Sequence, residues 1–326
     1  MAWFISRGSK MTDSNAPWER ELITKLAAEA LVEQRRRRRW GIFFKFLTFA
    51  YVTFLLIALV DWSSRADLTG GKKHTAMVEL SGLIAPGTDA SAEKVNASLQ
   101  AAFKDKNTQG VIVRINSPGG SPVQAQTIYD EMRRLRKKYP DIPLYAVVED
   151  ICASGGYFVA AGADRIYVGK ASIVGSIGVL MNGFGFTGLM DKLGVERRLI
   201  TAGENKGMLD PFSPLEEKDK EYIKTLMKDI HDQFIGVVRE GRGKRLKETP
   251  EMFSGLFWTG QKSVELGLAD GFGSLDSVAR DVIKAEDIVD YTQKEGFAEK
   301  VAKRFGASVA SSLAEFALRA AWVPRY

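Results

Sequence analysis

The sequence predicts an α/β domain with much parallel strand pairing, carried behind one N-terminal transmembrane helix. Three observations point there. Short hydrophobic runs alternate with amphipathic stretches from Thr75 to Val168, the pattern of strands joined by crossover helices. The 31 glycines are concentrated between Gly110 and Gly207, which suits tight βα turns better than a helical bundle. The stretch 41–60 is apolar apart from Lys45 and two threonines.

Residues 1–39 read as a basic leader, and Met11 offers a second start. Residues 40–62 read as the membrane span. Twenty residues at ~1.5 Å each cover ~30 Å of hydrocarbon. Lys45 lies one turn in and can snorkel to the interface. Trp40 and Trp62 bracket the run as interfacial anchors, and the arginines at 35–39 place the N-terminus in the cytoplasm. A cleaved signal peptide would have a shorter apolar core and a small-residue site, which Val60-Asp61-Trp62 does not supply.

Residues 63–74 read as a polar linker. Strands follow at 75–84, 110–116 and 143–149, with a short one at 164–168. Helices are expected near 90–106, 122–138 and 154–163. Pro214 opens a long helix to about 241, a position where proline is favourable. The C-terminal segment 297–326 is amphipathic and is expected to form an oligomer or membrane contact.

The net charge of +6 belongs to the leader. Residues 1–40 hold nine Lys/Arg against five Asp/Glu, whereas residues 61–326 hold 36 against 35. A folded domain so nearly neutral gives no basis for nucleic-acid binding. Cys152 is the one cysteine, so an intramolecular disulfide is impossible. No His/Cys/Asp cluster has metal-ligand spacing, and no cofactor is expected.

The chemistry centres on Ala153-Ser154-Gly155-Gly156-Tyr157. A serine at a strand-to-helix turn has an uncovered hydroxyl, with backbone N–H groups and the helix dipole nearby. The Gly155 amide is one candidate oxyanion donor. The turn Asn116-Ser117-Pro118-Gly119-Gly120 can supply another, from Gly119 or Gly120, because glycine lets the backbone approach an acyl group. No lysine follows these glycines, so this is not a phosphate-binding P-loop.

The chain has only two histidines, His74 and His231, and neither lies in a motif. A lysine is therefore the expected base, as in Ser-Lys variants of nucleophilic catalysis. Lys206 lies 52 residues after Ser154 in a Gly-flanked loop. A lysine base must be neutral, which requires burial to lower a reference pKa of ~10.4 by several units. Ser176 is the candidate hydroxyl to hold such an amine. Cys152 is a weak rival nucleophile, since no histidine is placed to activate it.

These motifs, with Ser172-Ile173-Val174-Gly175-Ser176-Ile177-Gly178-Val179, resemble the signal peptide peptidase A family in its short single-domain bacterial form. The likeness runs from about Thr75 to Gly273. It implies a crotonase/Clp-protease-like fold of repeated ββα units over 75–296. It implies Ser154 as nucleophile, Lys206 as base, Ser176 as its positioner, and an oxyanion hole from Gly119 or Gly120 with Gly155. It further implies a ring-shaped homo-oligomer with active sites shared between protomers. The substrates would be released signal peptides and other apolar peptides at the bacterial inner membrane, with the catalytic domain on the periplasmic side. The loop Glu204-Asn205-Lys206-Gly207-Met208 departs from the family's Lys-Ser-Ala-type loops, which bears on fine specificity. Two other readings are a crotonase-type acyl-CoA enzyme, using the same two-donor hole on a thioester, and a non-catalytic membrane scaffold.

Overall fold

The computed structural model describes residues 17–66 and 71–293, in two units that divide after Arg65. The first is one helix, α1 (Pro17–Ala66), with proline at its favoured first position. The apolar stretch 41–60 lies wholly within it. Trp40, Phe43, Phe46, Phe49 and Phe54 are exposed on several sides of the helix.

The expected membrane span is not reproduced among the described residues: no helix there is long and apolar enough to cross a membrane. The side chains of 56–66 lie outside the described residues, so the described part of the apolar stretch ends at Leu55, and extending it the other way runs into the arginines at 35–39. The polar linker also shortens. Helix runs through Ala66 and the first strand starts at His74. Residues 1–16 of the leader and the C-terminal segment 297–326 lie outside the described residues.

The second unit is built on a sheet whose strands number eight among the described residues, six of them in the order 257–259, 173–175, 144–153, 108–117, 74–81 and 288–290. Its first part is a run of βα units: β1 (His74–Ser81), α2 (Ala92–Lys104), β2 (Thr108–Ser117), α3 (Pro122–Lys138), β3 (Leu144–Ala153), α4 (Gly155–Ala160) and β4 (Arg165–Val168). The strands in this run pair in parallel. β2 is the centre, and Val111, Ile112, Val113 and Ile115 are all fully buried. A strand covered on both faces has this near-continuous apolar run. α3 starts where the sequence signals it. Pro122 takes the first helical position and the Ser121 side chain accepts from the Gln124 amide, satisfying a donor the helix leaves unpaired.

The long β3 is shared along its length. Tyr145–Val148 pair with β4, and Ile151–Ala153 pair with β5 (Ile173–Gly175). A register slip in β2 between Ile115 and Ser117 lets Ser117 face Cys152. These strand ends converge where ligands gather in open parallel sheets, outside the carboxyl edge.

Further along come α5 (Thr187–Leu193), α6 (Glu217–Arg242), β6 (Phe257–Thr259), α7 (Gly260–Glu265), β7 (Gly271–Phe272), α8 (Leu275–Ser277), a π-helical turn Val278–Ile283 and β8 (Ile288–Asp290). β6 runs antiparallel to β5. One large core joins the sheet to α2, α3 and α4, and a smaller one joins its other face to the π-helical turn. The C-terminal half of α6 packs on this core through Phe234, which meets Phe158 of α4 at 5.1 Å between ring centres. Its N-terminal half, and all of α5, bury no side chain.

Candidate active site

Ser154 stands at the turn from β3 into α4, as the cap residue of that helix. Its backbone has φ 50° and ψ −123°, and its side chain makes no capping bond. Positive φ costs a side-chain-bearing residue energy and persists only where the surroundings enforce it. Here they do. The Ser154 amide donates to Gly175 of β5 at 2.9 Å, and the Ser154 carbonyl accepts from Phe158 of α4 at 3.0 Å. α4 is entirely buried. The turn is therefore fixed from both sides, and it leaves the half-buried Ser154 hydroxyl unspent on the cap.

The glycine turn after β2 closes on this serine. Gly119 has φ +101° and Gly120 φ +148°, values open to glycine and strained for other residues. A Cβ on Gly119 would stand 2.6 Å from the Gly155 amide nitrogen, and one on Gly120 would overlap the Ile84 carbonyl. A Cβ on Gly155 would stand 3.2 Å from the Gly120 nitrogen. The glycines allow two backbone segments to touch.

The sequence leaves open which turn amide serves as donor; the hydrogen bonds separate the two. The Gly119 amide donates to the Ser117 hydroxyl at 3.1 Å. The Gly119 carbonyl and the Ser121 amide are both bonded to Ile84. Among the described residues the Gly120 amide has no acceptor. The Gly155 amide, at the first position of α4, is one of the donors a helix leaves unpaired. Two open N–H groups thus flank Ser154.

Ser176 follows β5 and also has positive φ, 51°, with its amide donating to Leu256 at 2.7 Å. Ala153 faces Gly175 in the β3–β5 register. The backbones of Ser154 and Ser176 are thereby brought side by side.

Lys206 is not brought into contact with Ser154. It is exposed, in a turn closed by its own amide donating to Gly203 at 3.2 Å. The turn sits on an arm tied mainly to itself. Phe186 stacks on Phe212 at 5.4 Å, and the Asp210 carboxylate takes the Ser213 hydroxyl at 2.7 Å and Arg197 at 3.3 Å. The Ser213 bond, then Arg197, holds the Asp210 carboxyl below its ordinary range. Leu180, Phe184 and Ile200 of this arm are at least 80% exposed, far from the usual fate of such side chains.

Cys152 is completely buried, and burial pushes its thiol well above the ordinary range. That removes it as a nucleophile. Neither histidine is hydrogen-bonded to Ser154 among the described residues. His74 bonds Tyr291 at 3.0 Å and His231 bonds the Ile177 carbonyl at 3.1 Å. Among the described residues no group of three His, Cys, Asp or Glu could hold a metal. The Ser117 hydroxyl is the feature that reading by residue type passes over, since it lies inside a quoted motif and shows its role only through its partners.

Known proteins are similar to this chain in sequence. The family model described as Peptidase family S49 matches residues 136–289, and that of Clp protease matches residues 76–173. A Brucella abortus protein named "Na(+)/H(+) antiporter NhaA" is 48% identical over 182 residues, covering 56% of this chain and 25% of its own length. An Enterococcus faecium protein named "Putative signal peptide peptidase SppA" is 32% identical, over 60% of this chain and 56% of its own. A Synechocystis protein named "Putative protease slr0021" is 33% identical, over 63% of this chain and 72% of its own. The chain thus spans a quarter of the first of these, about half of the second and most of the third.

Proposed function

The chain belongs to peptidase family S49, and from that premise we propose that it is a membrane-anchored serine endopeptidase with a Ser-Lys dyad. The observation that carries the reading is the strained Ser154 turn with two open amides, Gly120 and Gly155, beside it.

In the proposed cycle, neutral Lys206 takes the Ser154 proton as the hydroxyl oxygen attacks a peptide carbonyl carbon. The carbonyl oxygen becomes the oxyanion, held by the Gly120 and Gly155 amides. Lys206 returns the proton to the leaving nitrogen as the C–N bond breaks. Water then attacks the ester, Lys206 takes its proton, and the acyl group leaves as a carboxylic acid while Ser154 is restored. Ser176 positions the lysine.

A lysine serves as base only when withdrawn from water. Lys206 is exposed in the single protomer. This supports the reading in which a second copy covers the arm and active sites are shared within a ring. The exposed apolar side chains at 180–200 supply a surface for it. The α1 stretch at 41–55 is apolar on several sides, which suits a lipid surround; the arginines at 35–39 on its N-terminal flank fit an anchor with the N-terminus cytoplasmic and the catalytic domain periplasmic. Substrates at that surface would be residual signal peptides and similar apolar peptides.

The test is hydrolysis of a quenched fluorescent peptide with an apolar core by full-length protein in detergent. Wild type should cut it, Ser154→Ala and Lys206→Ala should not, and both variants should melt like wild type. Turnover by pure Ser154→Ala would sink the reading.

A further inference from the structure

We propose that Ser117 is a positioning residue that selects the Gly120 amide as oxyanion donor by tying down the Gly119 amide. The inference rests on the Ser154 reading above and adds a residue to it.

The Ser117 side chain is fully buried at the end of β2. Its hydroxyl donates to the Gly82 carbonyl at 2.6 Å and accepts from the Gly119 amide at 3.1 Å. A hydroxyl has one proton and two lone pairs, and this one uses the proton on one loop and a lone pair on the other. It therefore joins the loop leaving β1 to the glycine turn leaving β2. Gly119 is held with its N–H turned inward, to Ser117. In consequence the next amide, that of Gly120, is the one left without an acceptor beside Gly155.

Two further contacts fix Ser117 against the serine turn. It pairs in register with Cys152, two residues before Ser154. Its own carbonyl lies where a Cβ on Gly156 would meet it at 2.9 Å, so α4 packs directly on the Ser117 backbone. One residue thus contacts the β1 loop, the donor turn and the nucleophile's helix.

Removing the hydroxyl strands the buried Gly119 N–H and frees the exposed Gly82 loop from the donor turn. Buried polar groups seek partners. The turn can then rotate so that the Gly119 amide swings out and Gly120 loses its aim. The expected defect falls on transition-state binding rather than on substrate binding, because the oxyanion exists only after attack.

The experiment uses full-length protein in detergent, as wild type, Ser117→Ala, Ser117→Cys and Ser117→Thr. Cysteine keeps the volume but bonds weakly, so it stands in if alanine unfolds; threonine keeps the hydroxyl. For Ala and Cys, kcat should fall about 10- to 100-fold, less than the ~100- to 1000-fold for outright loss of one oxyanion donor because the Gly120 amide is misaimed rather than removed, with KM within about twofold. Inhibition by an aldehyde-ended apolar peptide, whose adduct with Ser154 carries the oxyanion, should weaken by a similar factor. Threonine should recover most of both. Folded Ala and Cys variants with wild-type kcat, or a kcat loss without the matching loss of aldehyde affinity, overturn the inference. A wild type that neither cuts peptide nor binds the aldehyde overturns the parent reading instead, and this inference with it.

Discussion

Gly119 lies so close to Ser154 that a methyl group on the glycine would stand 2.8 Å from the serine's Cβ. The two residues come from different strand ends, 35 positions apart, and only a residue without a side chain lets them meet. Gly119→Ala should therefore push the donor turn away from the nucleophile. The same holds for Gly120→Ala, whose new Cβ would overlap Ile84. Each should lower kcat more than a hundredfold, at a stability cost of about 1–3 kcal/mol from strain at positive φ. Steady-state kinetics beside thermal melting checks this. A fully active Gly120→Ala would remove that amide from the oxyanion hole.

Cys152 is two residues from the nucleophile, yet it is sealed in the core. Iodoacetamide should leave both the thiol and the activity intact under native conditions, and modify Cys152 only after denaturation. Rapid native labelling that stops hydrolysis would mean the turn opens far more than its packing indicates.

Asp270 anchors the far side of the nucleophile's helix. Its carboxylate takes Arg242 at 2.8 Å, Arg245 at 3.0 Å and the Ile166 amide at 2.7 Å, and Tyr157 of α4 donates to the neighbouring Leu268 carbonyl at 2.8 Å. The Arg242 side chain is 1% exposed. Asp270→Ala leaves that guanidinium buried without its partner, and should destabilise the domain by about 3–5 kcal/mol.

The same residue sets an acid limit. Burial alone would raise the Asp270 carboxyl, but the bonds and charge of Arg242, with the Ile166 amide and Arg245, outweigh it and hold the group below its ordinary range. A carboxyl lower in the folded than in the unfolded chain stabilises fully above its unfolded value of ~3.9, and loses that contribution as pH falls toward the folded value. Melting temperature should drop below about pH 4 in wild type. Asp270→Asn, already destabilised at neutral pH, should show a shallower drop.

Lys206 is exposed on a self-tied arm, so sharing between copies can be tested by mixing. Ser154→Ala and Lys206→Ala, each inactive, should regain partial activity when co-assembled, because some sites then combine an intact serine with an intact lysine. Co-expressed variants with distinct tags report this directly. No recovery from verified mixed assemblies would place both groups in one protomer.

Much of the fold was legible because its signals are local. Hydrophobic runs marked the central strands, and the helix expected near 122–138 is α3. The long helix begins at Glu217 rather than Pro214, since nothing local distinguishes the preceding turn residues. β6, β7 and β8 were missed because two- and three-residue strands exist only through their partners. The candidate site was legible in part: the glycine turn after β2 comes against Ser154 and Gly155, and Ser176 follows the strand that pairs with Ala153. The choice of Gly120 over Gly119 was not, because it depends on where the Ser117 hydroxyl points. The path from Lys206 to Ser154 was not either, since the protomer alone leaves that lysine exposed.

The central claim is that Ser154 is the nucleophile. A fluorophosphonate probe, which bonds to an activated serine oxygen with loss of fluoride, tests it in full-length protein. Intact mass and peptide mapping should show one adduct per chain, on Ser154, with hydrolysis lost in step, and Ser154→Ala should take up none. An adduct on another residue that tracks the loss of activity, or hydrolysis unchanged in Ser154→Ala, would contradict the account.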